Sequence, residues 1–166
     1  MKPDKIHIEP FQESDITFWR TWEVNTDFSQ YQTYLLPENY DTDNNEDYQI
    51  FMICSDSVKK GAIWLEKIDL LKKAACIGLF IGDSKCWGKG IGSQSIYLIL
   101  DIAFRKMNLD YVWLHVRETN SRAIRCYEKI GFKTIKQCGP KYFADGSFQH
   151  WYEIIISKSN CSKCDI

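Results

Sequence analysis

The run Trp87-Gly88-Lys89-Gly90-Ile91-Gly92 opens directly into a helical pattern, because Ile96, Ile99, Leu100, Ala103, Phe104 and Met107 recur at spacings of three and four residues. Gly88, Gly90 and Gly92 admit backbone conformations closed to other residues and remove side chains that would hold an anion away from the amides. The first-turn amides and the positive end of the helix dipole then form an anion site, to which Lys89 adds a full charge. The spacing is G-x-G-x-G, not the G-x-G-x-x-G of dinucleotide sites. No acidic residue closes a following strand about twenty residues on, and no Gly-Lys-Ser or Gly-Lys-Thr occurs. On the residues alone, the run is a phosphate-binding turn or an ordinary loop.

Upstream, Ile6-His7-Ile8-Glu9-Pro10 alternates as a strand, and Ser14 or Asp15 caps a helix carrying Ile16, Phe18, Trp19 and Trp22. Residues 28–48 show no period and are expected as loop with room for one helical turn. Strands are expected at 49–54, 61–70 and 74–81, an antiparallel meander whose first connection is 55–60. Downstream, residues 111–116 form the next strand, and Asn120 caps a helix with Ala123, Ile124, Tyr127 and Ile130 on one face. Gly131 stands where a left-handed helix stop is expected. Strands at 133–137 and 148–157 complete the chain, joined through the turn pair Asp145-Gly146. A strand, glycine turn, helix and strand between Ala74 and Val116 imply a right-handed crossover between neighbouring parallel strands, with ligands bound at the strands' carboxyl ends.

A second segment gives the glycine run a more specific meaning. After the helix and strand comes Asn120-Ser121-Arg122-Ala123-Ile124-Arg125-Cys126-Tyr127-Glu128-Lys129-Ile130-Gly131-Phe132, and the two segments resemble the two signatures of the GNAT superfamily of N-acetyltransferases. The first resembles its pyrophosphate loop, Q/R-x-x-G-x-G/A, and the second its N-x-x-A/S-x-x-x-Y-x-x-x-G-F segment. The order of elements resembles that fold from Ile6 to Ser157. The resemblance implies an α/β (α+β) fold: a mixed, mostly antiparallel central sheet of about seven strands flanked by helices, in one domain over residues 1–157. Residues 158–166 are expected as a polar, flexible tail. Trp87 stands where many members have Gln or Arg, and the Trp-Gly-Lys-Gly run resembles the branch of ribosomal-protein N-terminal acetyltransferases.

Carried over by position, the resemblance implies that Lys89, Gly90, Ile91, Gly92 and Ser93 bind the pyrophosphate of acetyl-CoA, the co-substrate. It implies that Leu79, Phe80 and Ile81 pair with the pantetheine arm and present an amide to the thioester carbonyl, and that Asn120 contacts the same arm. An alkyl amine with a pKa near ~10.4 is unprotonated in only about one molecule in a few thousand at neutral pH, so a proton must leave before or during attack. The departing thiolate in turn benefits from an acid. Tyr127, the tyrosine of the second signature, is the expected acid. His115 interrupts an apolar strand at the position that holds a glutamate base in the alanine acetyltransferase-like members, and it is the expected base or proton relay. Glu66, Glu23 and ordered water are the alternatives. Cys126 adjoins Tyr127, but neighbouring helix positions point about 100° apart and no activating base stands at obvious spacing. Direct attack in a ternary complex is therefore expected rather than an acyl-cysteine.

The gross composition sets outer bounds. At 166 residues and 45% hydrophobic, the chain supports one sizeable core. A net charge of -1, from 21 basic and 22 acidic residues, argues against nucleic acid and against an electrostatically held membrane as partners. Met1-Lys2-Pro3-Asp4-Lys5 has no apolar signal core and no apolar run is long enough to span a bilayer, so a soluble, cytoplasmic protein is expected. Seven cysteines, an odd number, suit reduced thiols, and the lone C-x-x-C at Cys161 and Cys164 lacks a second ligand pair, so no metal is expected. The acceptor is expected to be a primary amine, either a protein N-terminus or a small molecule such as a polyamine or aminoglycoside, met by residues 11–48 and 137–151. The first of these regions is aromatic (Trp19, Trp22, Tyr31, Tyr34) and then acidic (Glu38, Asp41, Asp43, Glu46, Asp47), which attracts a cation or makes a solvated face. A noncatalytic acyl-CoA-binding or regulatory module is the rival, opposed by the intact Tyr127 and Asn120; a nucleotide-phosphate enzyme is a third reading. Monomer and homodimer both remain open.

Overall fold

The computed structural model describes residues 5–23 and 47–163. Strand β1 (Ile6–Pro10) leads through a turn at Glu13–Asp15 into α1 (Ile16–Glu23). Neither Ser14 nor Asp15 is the N-cap expected: Gln12 holds that position, and Asp15, three residues on, closes a capping box, its carboxylate accepting the Gln12 amide at 2.9 Å. Then come β2 (Tyr48–Ser55), β3 (Val58–Asp69) and β4 (Ala74–Ile81), the expected meander. Asp56 and Ser57, with φ of 46° and 70°, make the first connection a tight two-residue hairpin, which lets β2 and β3 run closer to each other than the sequence suggests. Of the expected 28–48 loop, residues 28–46 lie outside the described residues, and Tyr48 already belongs to β2.

Helix α2 (Ile91–Asp101) continues as a wider π-helical turn at Ile102–Lys106, where the Met107 amide reaches back to the Ile102 carbonyl at 2.9 Å. Strand β5 (Tyr111–Arg117), α3 (Ser121–Ile130), β6 (Lys133–Tyr142) and β7 (Phe148–Ser157) complete the fold. Gly131 ends α3 with φ 119°, its amide donating to the carbonyls of Tyr127 and Glu128.

The seven strands form one sheet in the order β1-β2-β3-β4-β5-β7-β6, antiparallel except where β4 meets β5. Strand alternation sends two sets of side chains to opposite faces. Ala75 and Ile77 of β4, with Val112, Leu114 and Val116 of β5, pack under Ile96, Ile99, Leu100 and Phe104 of α2. On the other face Trp64 of β3 and Phe80 of β4 pack around Trp19 of α1, with ring centroids of Trp19 and Phe80 5.0 Å apart.

Two further expectations are corrected. The segment after β7 is not a loose tail as far as it is described: Lys158–Asn160 form a turn and Cys161 is wholly buried in the main core. Gly131 makes room for that turn, since a Cβ there would lie 2.8 Å from the Asn160 carbonyl oxygen. Cys161 is also disulfide-bonded, whereas Cys54, Cys76, Cys86, Cys126 and Cys138 are the free thiols expected. Among the described residues, no helix is long and apolar enough to cross a membrane.

Candidate active site

The strand pair β4 and β5 creates the site by ceasing to pair. Only Ala74, Ala75 and Cys76 of β4 are in register with β5, opposite Tyr111, Val112 and Trp113; beyond them the ladder ends. The strands diverge into a cleft of about 620 Å³, with Leu79, Phe80 and Ile81 on one wall and His115, Val116 and Arg117 on the other.

The glycine run closes one end of this cleft. Asp83 caps the short turn Ser84–Cys86 by accepting the Lys85 amide at 2.9 Å, and Gly88 and Gly90 come next with φ of 76° and 82°. A Cβ at Gly88 would meet nothing within 4 Å, so the left-handed backbone, not lack of space, requires glycine there. The Gly90 carbonyl accepts the Gln94 amide at 3.1 Å and the Ser93 hydroxyl at 3.0 Å. Ile91, Gly92 and Ser93 occupy the first turn of α2, where amides have no acceptor inside the helix, and all three line the cleft.

Most of the expected residues converge here: Leu79, Phe80 and Ile81, then Gly90 to Ser93, then His115, Asn120 and Tyr127 all line the cleft. Lys89 does not. It is exposed and outside the lining, because it sits between two left-handed glycines on the outer side of the turn. The cations that line the cleft are Arg117 at the end of β5, which is paired with Asp145, and Arg122, Arg125 and Lys129 on α3. The spacing of three and four residues in the α3 set was visible in the same segment that carries Tyr127.

Tyr127 is half-buried on α3, its ring edge-on to Phe132 with centroids 5.6 Å apart. Burial pushes its phenol well above the usual range, so it stays protonated at neutral pH. Asn120 caps α3, its side-chain oxygen accepting the Ala123 amide at 3.3 Å, which leaves the NH2 end of the amide for a ligand. Cys126 also lines the cleft, but burial raises its thiol pKa, the wrong direction for an activated nucleophile.

His115 approaches from the opposite face. Leu114 and Val116 join the core under α2, with Tyr127 packed against that core, so the alternate residue His115 projects to the α1 side of the sheet. Its Nε2 lies 2.9 Å from Oε2 of Glu153, its cross-strand partner on β7. Glu66 is on the same face but in register with Cys76, at the closed end of the opening and outside the lining. Burial first, and then Glu66, push the Cys76 thiol far up. The side chain of Glu23 lies outside the described residues. The end of β5 is fixed by Arg117, almost fully buried, whose Nη1 donates to Asp145 at 2.7 Å in the β6–β7 turn. Hydrogen bonds from Ser147, and then from Arg117, push the Asp145 carboxyl down to about 2.

Residues 4–133 match the family described as acetyltransferase (GNAT) domain. The chain belongs to that family. It is an acyl-CoA-dependent N-acetyltransferase with acetyl-CoA as co-substrate. The acetyltransferase is 22% identical over 159 residues to the spermidine N(1)-acetyltransferase of Escherichia coli K12, with 91% of this chain and 85% of that one covered. It is 26% identical over 126 residues to the spermidine N(1)-acetyltransferase of Vibrio cholerae, covering 75% and 72%. In fold it is similar to the crystal structure of a Vibrio cholerae spermidine N-acetyltransferase in complex with CoA and spermine, with a TM-score of 0.82, 21% identity and coverage of 93% and 96%. These relatives correct the expected branch, which was that of ribosomal-protein N-terminal acetyltransferases. A single tryptophan in the loop was too little to assign a branch, because an anion turn at a helix N-terminus offers backbone amides whatever side chain stands there.

Proposed function

We propose that this acetyltransferase moves the acetyl group of acetyl-CoA directly to a primary amine of a polyamine such as spermidine. The observation that carries the transfer reading is the through-sheet opening between β4 and β5, lined by the α2 amide cradle and Tyr127 from one face and reached by His115 from the other. Donor and acceptor then meet from opposite sides of the sheet. Gly90 to Ser93 hold the diphosphate through backbone amides, and Leu79 to Ile81 align the pantetheine arm. His115, oriented by Glu153 at 2.9 Å, takes the proton of the attacking ammonium, directly or through water. Tyr127 gives its proton to the departing thiolate and is restored from solvent.

The polyamine is supported by the two spermidine-acetylating relatives and by the acidic run Glu38, Asp41, Asp43, Glu46 and Asp47, which would draw a polycation. The test is release of free thiol from acetyl-CoA against a panel of spermidine, spermine, kanamycin and a peptide with a free N-terminus. Saturable release with spermidine and spermine is expected. Faster release with the peptide or kanamycin would reassign the acceptor, and saturable CoA binding without release for any amine would favour the noncatalytic module.

A further inference from the structure

Trp87 makes two contacts that the transfer chemistry does not use. Its indole N–H donates to the carbonyl of Ile81, the last residue of β4, at 3.1 Å. Over its ring lies the guanidinium of Arg122, 3.9 Å from the ring centroid, reaching across from the first turn of α3. Both residues line the cleft, and Trp87 belongs to the loop that carries the amide cradle. The hydrogen bond fixes the ring to β4, and the stack fixes an α3 cation to the cradle's own loop. A guanidinium stacked on an indole keeps its N–H donors in the plane of the stack, directed outward as a fork suited to phosphate oxygens.

The cradle needs such a cation. Helix-terminal amides carry only partial charge, an indole at position 87 carries none, and Lys89 lies outside the lining. Arg125 and Lys129 stand about one and two turns farther into α3, and Arg117 of β5 is held by Asp145, whereas Arg122 is the lining cation seen against the cradle's own loop. We propose that Arg122 is the cation that binds the diphosphate of CoA, and that Trp87 is the positioning residue that sets its guanidinium against the cradle. This rests on the acetyl-CoA reading of the cleft.

The experiment is calorimetric titration with CoA and with 3′-dephospho-CoA, which keeps the diphosphate and lacks the 3′-phosphate. It is run on the wild type, Arg122→Ala, Trp87→Leu, Trp87→Phe and the Trp87→Leu/Arg122→Ala double variant, with thermal melting of each ligand-free protein as a check of folding. Arg122→Ala is expected to weaken both ligands about tenfold, the scale of one hydrogen-bonded charge. Trp87→Leu is expected to weaken both about three- to fivefold, the scale of a partly exposed cation–π contact. Trp87→Phe, which also loses the Ile81 hydrogen bond but keeps a ring face, recovers most of that loss. The double variant binds as Arg122→Ala alone, because the indole acts only through the arginine. Wild-type affinity in Arg122→Ala, a penalty seen with CoA but not with the dephospho form, or additive losses in the double variant would overturn the proposal. Absence of CoA binding by the wild type would instead remove the reading on which it rests, before any substitution is considered.

Discussion

At residues 74–76 strand β4 is paired with β5, while at residues 79–81 the same strand lines a cleft and the ladder has ended. Both ends alternate apolar side chains under α2, so hydrophobic pattern does not tell them apart. What separates them is the connection: the paired end leads into an ordinary strand, whereas the open end runs into two left-handed glycines and a helix N-terminus. On the proposed function, one end supplies stability and the other supplies chemistry. Substitutions should divide the same way.

The largest expected effect lies on the core side. Ile77→Ala, just beyond the paired segment and nearly fully buried, should cost about 2–5 kcal/mol of stability and lower the melting temperature by several degrees, with CoA affinity unchanged. Denaturant unfolding alongside titration checks this, and a loss of affinity without loss of stability would erase the distinction. At the open end the pattern reverses. Gly90→Ala forces a residue with a Cβ to φ 82°, which costs about 1–2 kcal/mol, and is expected to weaken CoA about tenfold wherever the cradle must keep its shape to bind.

Across the sheet, His115→Ala should lower turnover about tenfold or more, with CoA affinity retained. Glu153→Gln should reproduce part of that loss in turnover, since it acts by holding Nε2 of His115. Turnover unchanged in both variants would move the base elsewhere. Smallest of all, Cys126→Ser should change turnover by less than about twofold, because a thiol whose pKa is raised by burial is not a nucleophile at neutral pH. Trapping an acetyl-cysteine at that position would contradict direct transfer.

The glycine turn and the capped helix that line the cleft were legible in the sequence because their determinants are local. Left-handed turns need glycine, Asn120 caps the helix it begins, and Tyr127 lies one face away within the same short segment. The seven-stranded sheet was legible for the same reason, strand by strand. That Lys89 is exposed and outside the cleft lining was not legible, because a one-dimensional pattern does not show on which side of a turn a side chain emerges. Glu153 was missed because its meeting with His115 is a cross-strand register across 38 residues. Cys161 looked like the end of a polar tail, and only the glycine-shaped gap beside residue 131 shows why it is core.

Through-sheet transfer depends most on Tyr127 as the proton donor to the leaving thiol. Steady-state turnover of Tyr127→Phe with acetyl-CoA and spermidine, measured beside its CoA affinity and its pH profile, tests it directly. Turnover reduced about a hundredfold or more is predicted, with affinity within about twofold. Because burial raises the phenol, no loss of wild-type activity to Tyr127 ionisation is expected below the ordinary phenol range of about pH 10. Full turnover in Tyr127→Phe would contradict this role.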